Sequence, residues 1–366
     1  MNSQNKNKEV NNYQDTTKKK EESNHNKSRF VFTEIYIDLI CYIIITCIFL
    51  FSYQMFFDSQ TMKENLEKED GKPINYDLPC WVDLAPSLYF LGVIYVLNKI
   101  FYFIFNGFVK ERLSLGITEE KNLDLADLYI KKSCTSIFKF FFYLFSTILG
   151  YYTLRQTEFL PKNFFGKGAF INIFKEDYPT YLFWKRPENL YIYININLAF
   201  SMFDLVECFT HQLQSDFLFM IIHHLSTISL IVYSTLTNNS HVGSAIIFLH
   251  FYGDIFSYIV RSILYLDIDD KFKGTATFIF LVNFAYSRIY IFIGWLFDIK
   301  VGIRHNWFFF ENCLFVFLWI LFALHLVWTY MIGKKFVQYL IAGKIVDIIK
   351  VIKKNNTEEE TDKKKK

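Results

Sequence analysis

The chain has 366 residues and a formal net charge of +3, and 52% of its residues are hydrophobic and 20% aromatic, including 43 Phe and 24 Tyr. This composition is too apolar for an ordinary soluble domain, and the charged residues cluster at the chain ends and in loops, so no nucleic-acid partner is expected. Several apolar stretches reach the roughly 20 residues that cross a bilayer as a helix, which predicts a polytopic membrane protein.

The chain begins with a polar segment, residues 1–35, that we predict to be a disordered cytosolic tail. Its first 28 residues are rich in Lys and Asn, a composition with too little apolar surface to bury. They lack the charged, apolar and small-residue regions of a secretory signal peptide. No cleaved leader is therefore expected.

Eight apolar segments follow, each long enough to cross a membrane. Helices are expected, because backbone groups in lipid must be satisfied within their own segment and no alternating strand pattern is present. The predicted fold class is all-α, a polytopic bundle of about eight transmembrane helices. The predicted spans are 36–57, 85–108, 134–153, 189–209, 216–236, 242–266, 275–296 and 308–333.

The distribution of lysines predicts that both ends of the chain face the cytosol. The amino tail carries the run from Lys18 to Lys20, and the basic and acidic carboxyl tail, 336–366, ends in four lysines. Positive charge favours the cytoplasmic side. Lys363 and Lys364 have the form of a dilysine retrieval signal for the endoplasmic reticulum, and an ordinary solvated charge run is the alternative.

Polar residues recur inside the predicted spans at helical spacing. An ionisable residue in a membrane span is costly and therefore indicates a functional site. With these stripes facing inward, the bundle is predicted to enclose a polar chamber. The stripes comprise Asn197, Ser201, Asp204 and Cys208 in the fourth span; Asp216, His223, Thr227 and Ser234 in the fifth; His250, Asp254, Ser257 and Arg261 in the sixth; Asn283, Ser287 and Arg288 in the seventh; and His325 and Trp328 in the eighth.

The depths of these residues predict that they converge. With a cytosolic amino terminus, His223 lies roughly 10 Å deep in the fifth span. Asp254, on the returning span, lies roughly 12 Å from the same surface of a ~30 Å core. His223, His224 and Asp254 are therefore expected at one level, with His250 somewhat deeper. A neutral imidazole there can take a proton from an amine or attack a thioester, and a carboxylate behind it fixes its tautomer.

Three other interpretations of the polar residues are open. A single buried histidine can simply bond a neighbouring helix, which is an equal alternative for His325. Membrane di-iron enzymes need HxxxH or HxxHH boxes, and none of the eight histidines forms such a pair, so no metal and no cofactor are predicted. A transporter is the third, and no repeat pairing or broken-helix pattern favours it.

The region 216–261 resembles the Lag motif of ceramide synthases, which lies within the TLC domain. Residues 83–117 are similar to the first helix of those enzymes, and 137–152 to the opening helix of the TLC domain. The resemblance covers about 83–345 and implies a six-helix TLC domain at 134–335. The motif is carried by Asp216, Met220, His223, His224, Thr227, Leu230, Ile231, Ser234, Asn238, Gly243, His250 and Asp254.

The chain departs from the family pattern at four positions. Phe251 stands where the family has the Asp of its HD pair, and Phe219 where it has an acidic residue before the motif's Met. His241 replaces the usual Arg, and Arg261 the usual Lys.

The resemblance implies the N-acylation of a sphingoid base by a fatty acyl-CoA, giving ceramide or dihydroceramide. His223 would be the nucleophile or general base, and His224 its partner or a second proton carrier. Asp254 would orient a histidine or bind the amine, and His250 would lie in the same chamber. Acyl-CoA would be a co-substrate, with no cofactor. The substrate-binding residues would be Asp216, Thr227, Ser234, Asn238, Ser257, Arg261, Asp204, Asn283 and Arg288.

The expected partners are the fatty acyl-CoA, the sphingoid base and membrane lipid, with a homo- or heterodimer or a small accessory subunit as further options. The expected location is the endoplasmic reticulum membrane. A non-catalytic TLC-domain protein, acting in lipid handling or at the translocon, is the alternative function. The paired histidines followed by Asp254 argue against this alternative, whereas Phe251 slightly favours it.

Overall fold

The computed structural model describes residues 81–112, 123–174, 188–210, 217–237, 239–264, 268–302 and 309–342. Every long element within these ranges is a helix, and no strand is formed there. Seven helices are long and apolar enough to cross a membrane. The predicted all-α membrane bundle is therefore confirmed. The predicted span 36–57 lies outside the described residues.

The described helices are eight in number, and two of them form one continuous span. A π-helical turn, Tyr286–Ile291, joins α6 to α7 and makes the span Asp270–Gly302. The helices are α1 (Pro86–Arg112), α2 (Leu123–Leu154), α3 (Glu188–Thr210), α4 (Phe217–Leu236), α5 (Ser240–Leu264), α6 (Asp270–Ala285), α7 (Phe292–Gly302) and α8 (Phe309–Ala342).

Two helices extend well beyond the apolar runs that predicted them. Helix α2 begins at Leu123, before the predicted span 134–153, and α8 continues to Ala342, past the predicted end at 333. The extensions are rich in Leu, Ala and Lys, which are strong helix formers. The apolar run predicts only the part of the helix that lies in the lipid. The helix itself continues as long as the following residues favour helical structure.

Aromatic rings pack the centre of the bundle, where α2, α3 and α5 meet. Phe142 of α2 stacks on Phe200 of α3 at 3.6 Å between ring centroids. Tyr143 meets Phe251 of α5 edge to face at 4.9 Å. Between apolar helices in lipid, close packing rather than water exclusion drives association, and well-oriented ring pairs add about 0.5–1.5 kcal/mol each.

The segment after α2 folds against the end of the bundle where α4 turns into α5. Phe164 and Phe170, in two short 3₁₀ turns, are each only 1% exposed. Phe170 stacks on Trp295 of α7 at 4.5 Å, and Phe164 contacts Phe248 of α5 edge to face. The described part of this segment therefore packs against the bundle.

Gly150 allows α2 to approach the other central helices closely. A Cβ at this position would lie 2.7 Å from the Tyr193 hydroxyl and 2.9 Å from the Phe248 ring. We expect Gly150→Ala to lower the unfolding free energy by about 1–3 kcal/mol, as overpacking does. Thermal unfolding of the purified protein in detergent measures the change.

Gly294 of α7 provides the matched control, since a Cβ there would meet nothing within 4 Å. Gly294→Ala should leave the melting temperature unchanged or raise it slightly, because Ala favours a helix over Gly. Equal melting temperatures for the Gly150→Ala variant and the wild type would contradict the close approach.

Candidate active site

Arg288, in the π-helical turn, is the central charged residue of the bundle. Its side chain is 2% exposed, and Nη2 donates to Asp254 Oδ1 at 2.6 Å and to the backbone carbonyl of His250 at 2.6 Å. Its Nη1 lies 3.4 Å from His325 Nε2. A buried charge must be paired and hydrogen-bonded to be tolerated, and here one guanidinium joins α5, the π turn and α8.

The wide π turn places two successive residues toward the interior. Ser287 and Arg288 are both buried, at 0% and 2% exposure. Gly253 of α5 accommodates them, since a Cβ there would lie 3.1 Å from Arg288 Nε and 3.1 Å from Ser287 Oγ. Such π turns occur frequently at functional sites.

Four imidazoles and one indole form a connected group beside Arg288. His223 of α4 lies 5.4 Å from His224 and 5.0 Å from Trp328 of α8, measured between ring centroids. His325 lies 6.4 Å from Trp328 and 5.0 Å from His250 of α5. Three helices thus bring together rings that are separated by up to a hundred residues in sequence. We call this set the histidine group.

An apolar cavity begins at the histidine group. It follows α5 from His250 to Val242, about 12 Å at the helical rise, and Phe174 stands near the far end beside Gly302. The cavity is lined by Phe174, Thr227, Leu230, Ile231, Ser234, Asn239, Val242, Gly243, Ile246, Ile247, His250, Phe251, Ile299, Leu314, Leu318 and Leu321.

A second polar cluster lies between α2, α3 and α5. Lys139 pairs with Asp204 at 2.9 Å, and the Tyr143 hydroxyl donates to the other carboxylate oxygen at 2.9 Å. The Tyr258 ring lies between two cations, with Lys139 at 5.6 Å and Arg261 at 5.2 Å from its centroid. Tyr143 stacks on Tyr258 at 5.1 Å and also contacts Phe251, which lines the cavity.

The structure places most of the predicted site residues in these three regions. His223, His224 and His250 belong to the histidine group, and Asp254 lies beside it, bonded to Arg288 rather than to a histidine. Thr227 and Ser234 line the cavity. Within the described residues, no group of three metal-type side chains could hold a metal ion.

The other predicted binding residues lie apart from the cavity lining or beyond the described part of the chain. Asn283 donates to the Tyr252 hydroxyl at 3.1 Å, and Ser257 is half-buried on α5. Asp204 and Arg261 belong to the second polar cluster. Asp216 and Asn238 lie outside the described residues.

Four residues at the site were not among the predicted site residues. Lys139 is a charged residue inside an apolar span, and that alone marks it as functional or paired. His325 and Trp328 stand one turn apart on α8, in reach of the same neighbours. Tyr143 gave no signal, because one tyrosine among so many aromatics is indistinguishable by sequence.

A family model described as the TLC domain, for TRAM, LAG1 and CLN8, matches residues 132–334, more than half of the chain. The chain belongs to the TLC-domain family. The matched residues include the histidine group and the residues that line the cavity. This TLC-domain chain therefore carries its candidate site within the region that defines the family.

The curated relatives are ceramide synthases. Human ceramide synthase 5 is 27% identical over 223 residues, which are 59% of this chain and 53% of that protein. Ceramide synthase 1 LOH3 of Arabidopsis thaliana is 24% identical over 233 residues, 63% of this chain and 71% of that protein. Sphingosine N-acyltransferase lag1 of Schizosaccharomyces pombe is 28% identical over 196 residues, 52% of this chain and 43% of that protein.

These relatives confirm the resemblance that the motif indicated. The chain spans about half the length of the human and mouse ceramide synthase 5 that it matches, 53% and 50% respectively. The activity of these relatives as whole proteins is therefore only proposed for this chain.

Arg288 and Asp254 should depend on each other for stability. We expect Arg288→Met to lower the free energy of unfolding by about 3 kcal/mol. This is the lower end of the range for a broken buried pair, because the Asp254 side chain is 20% exposed. The double variant Arg288→Met/Asp254→Asn should recover part of this loss, since no unpaired charge is left. Thermal unfolding in detergent measures both variants.

Arg155→Met is the control, because the Arg155 guanidinium lies over the Tyr152 ring and has no part in the site. It should change the melting temperature little. If the double variant is no more stable than Arg288→Met, the two side chains are not coupled as the 2.6 Å contact implies.

Proposed function

We propose that this TLC-domain protein is a ceramide synthase, which joins a fatty acyl group from acyl-CoA to the amine of a sphingoid base. The observation that carries the proposal is the histidine group at one end of an apolar cavity. Two lipid substrates with polar reacting ends need such a site, because their tails require apolar surroundings while the reaction requires a base. The names of the relatives support the same reaction.

The chemistry needs a group that can accept a proton or an acyl chain. His223 Nδ1 and His224 Nε2 are buried and lack hydrogen-bond partners among the described residues. In the nucleophilic route, His223 attacks the thioester, the carbon–sulfur bond breaks, and the CoA thiolate takes the proton that the acylated imidazole loses from its other nitrogen. The amine then attacks the acyl-imidazole, the bond between the acyl carbon and His223 breaks as the amide forms, and the amine's proton passes to the released imidazole. In the general-base route, His223 takes the amine's proton as the amine attacks the thioester directly, the carbon–sulfur bond breaks, and the CoA thiolate leaves with that proton.

The cavity supports the placement of the acyl chain. Its lining is apolar apart from four side chains, of which His250 and Thr227 lie toward the histidine group and Ser234 and Asn239 toward the other end. A fatty acyl chain lying along α5 would keep its thioester near the histidine group and exclude water from it. Exclusion of water protects a reactive acyl intermediate from hydrolysis.

CoA carries phosphates, and cations near the helix ends can bind them. Lys271 of α6 and Lys334 and Lys335 of α8 are exposed near the end that the lysine distribution assigns to the cytosol. We place the chain in the endoplasmic reticulum membrane with both ends cytosolic. A dimer or a small accessory subunit is compatible with this arrangement.

The paired histidines should be essential for turnover. Membranes containing the wild-type chain should form N-acyl product from sphinganine and acyl-CoA, and His223→Ala/His224→Ala should reduce the rate at least about a hundredfold, as loss of a catalytic base does. The measurement is product formation with a panel of acyl-CoA chain lengths.

The control is Leu218→Ala/Phe219→Ala on the same helix, at side chains that are 53% and 39% exposed. It should retain activity. Product formation that survives loss of both histidines would refute the mechanism, whereas no product from a properly inserted wild-type chain would refute the enzyme.

A non-catalytic lipid-handling role is the second candidate function. The observation in its favour is Phe251, which is 4% exposed and packs among Tyr143, Phe200 and Phe142 where the family has an acidic residue. Binding of acyl-CoA or sphinganine to the purified protein without any turnover would favour this role over catalysis.

Phe174 should influence which acyl chains are accepted. Its ring stands near the end of the cavity that is farthest from His250 and contacts Gly302. We expect Phe174→Ala to lengthen the cavity and to shift the preferred acyl-CoA by about two or more carbons, as pocket size discriminates by a few methylenes at most. Product profiles with mixed acyl-CoA chains measure the shift.

Phe165→Ala is the matched control, because Phe165 belongs to the same segment, is 54% exposed and does not line the cavity. It should leave the profile unchanged. An unchanged profile for Phe174→Ala in an active enzyme would place the end of the acyl chain elsewhere.

A further inference from the structure

Two buried imidazoles of the histidine group have complementary unsatisfied atoms. His250 Nδ1 lies 2.8 Å from the carbonyl oxygen of Ile246. A carbonyl only accepts hydrogen bonds, so Nδ1 carries the proton, and in the neutral ring Nε2 is left as an acceptor. That Nε2 atom is buried and has no partner among the described residues.

His325 shows the reverse arrangement. Its Nε2 faces Arg288 Nη1 at 3.4 Å, and a guanidinium can only donate. Nε2 of His325 therefore accepts, the ring is neutral, and its proton is on Nδ1. His325 is 0% exposed, and its Nδ1 atom is also buried without a partner among the described residues.

One small group can satisfy both rings. The two ring centroids are 5.0 Å apart, and between them one ring offers an acceptor and the other a donor. A hydroxyl group donates and accepts at once, whereas an ammonium only donates and a carbonyl only accepts. A buried polar atom without a partner is costly, so this pair of histidines is suited to a hydroxyl.

The surroundings indicate that the hydroxyl belongs to a lipid. His250 lines the apolar cavity, and His325 is linked through Trp328 to His223, the proposed reacting histidine. A sphingoid base carries hydroxyls on the two carbons that flank its amine-bearing carbon. With the amine at His223, one of these hydroxyls is within a few bonds of the reacting nitrogen.

We propose that His250 Nε2 and His325 Nδ1 together bind one hydroxyl of the amino-alcohol substrate. The proposal rests on the proposed function and makes His325, on α8, a substrate-binding residue. The pair holds the amine in register with His223 and selects amino alcohols over simple long-chain amines.

The test compares sphinganine with its 1-deoxy and 3-deoxy analogues, using the full chain in membranes and one acyl-CoA. The wild type should use at least one analogue with a kcat/KM lower by about tenfold or more, because the pair then lacks its partner. In His325→Phe this difference should fall below about threefold, chiefly through slower use of sphinganine.

Two further variants separate recognition from structure. His325→Gln keeps an acceptor toward Arg288 and an N–H donor, and should restore part of the discrimination. Phe284→Leu alters a ring 6.1 Å from the His325 ring without removing a polar atom, and should keep the wild-type ratio. The deoxy analogue with the larger fall in kcat/KM identifies which hydroxyl is bound.

A wild type that uses all three amines equally, or a ratio that persists unchanged in His325→Phe, would overturn the proposal while leaving the acyltransferase intact. If the wild type forms no N-acyl product, the proposed function fails separately. The histidine pair is then tested by thermal shift of the purified protein, in which sphinganine should raise the melting temperature more than at least one of the two deoxy analogues does. Equal shifts would overturn it.

Discussion

The bundle depends on how one positive charge is accommodated inside a membrane. Arg288 is 2% exposed and lies in the middle of an apolar span, where an uncompensated charge is costly. Asp254, the His250 carbonyl and His325 Nε2 surround it. The positions of α5, the π turn and α8 relative to each other are therefore set by contacts to a single guanidinium.

This arrangement also determines the chemistry of the histidines. Asp254 accepts a hydrogen bond from Arg288 and none of the described hydrogen bonds joins it to a histidine. At His250 the tautomer is fixed instead by a backbone carbonyl. Because Arg288 donates to His325, that ring must present its proton on the opposite side. The His250 and His325 rings thus lie 5.0 Å apart with one unpartnered acceptor and one unpartnered donor, and none of the described hydrogen bonds joins one imidazole to another.

Phe251 shows how the chain accommodates the loss of an acidic residue. Its ring packs among Phe142, Tyr143 and Phe200, and an aspartate would lack a partner in such surroundings unless one were supplied. A carboxylate nevertheless occurs close by, since the Tyr143 hydroxyl bonds Asp204, which in turn pairs with Lys139. Carboxylates in this region therefore come from both α3 and α5, since Asp204 bonds Tyr143 and Asp254 bonds Arg288.

The sequence was sufficient for the features that depend on one helix at a time. Apolar length predicted the spans, and helical spacing predicted that His223 and Thr227 share a face. The Lys139–Asp204 pair was beyond reach, because it joins two helices and neither residue carries a local sign of its partner. The π turn could not be predicted either, because the spacing of apolar residues does not reveal its backbone hydrogen-bond pattern.

The two ends of the cavity differ in what they can recognise. The end near Phe174 is mostly apolar, with Ser234 and Asn239 as its polar lining residues, so it discriminates between chains mainly by length, and only weakly, because a methylene contributes little. The end at His250 offers polar atoms buried without partners, and a ligand that fails to satisfy them is strongly disfavoured. Under the proposed function, selectivity for the headgroup therefore depends on the charge network around Arg288, whereas selectivity for the tail can vary with single apolar residues that leave this network untouched.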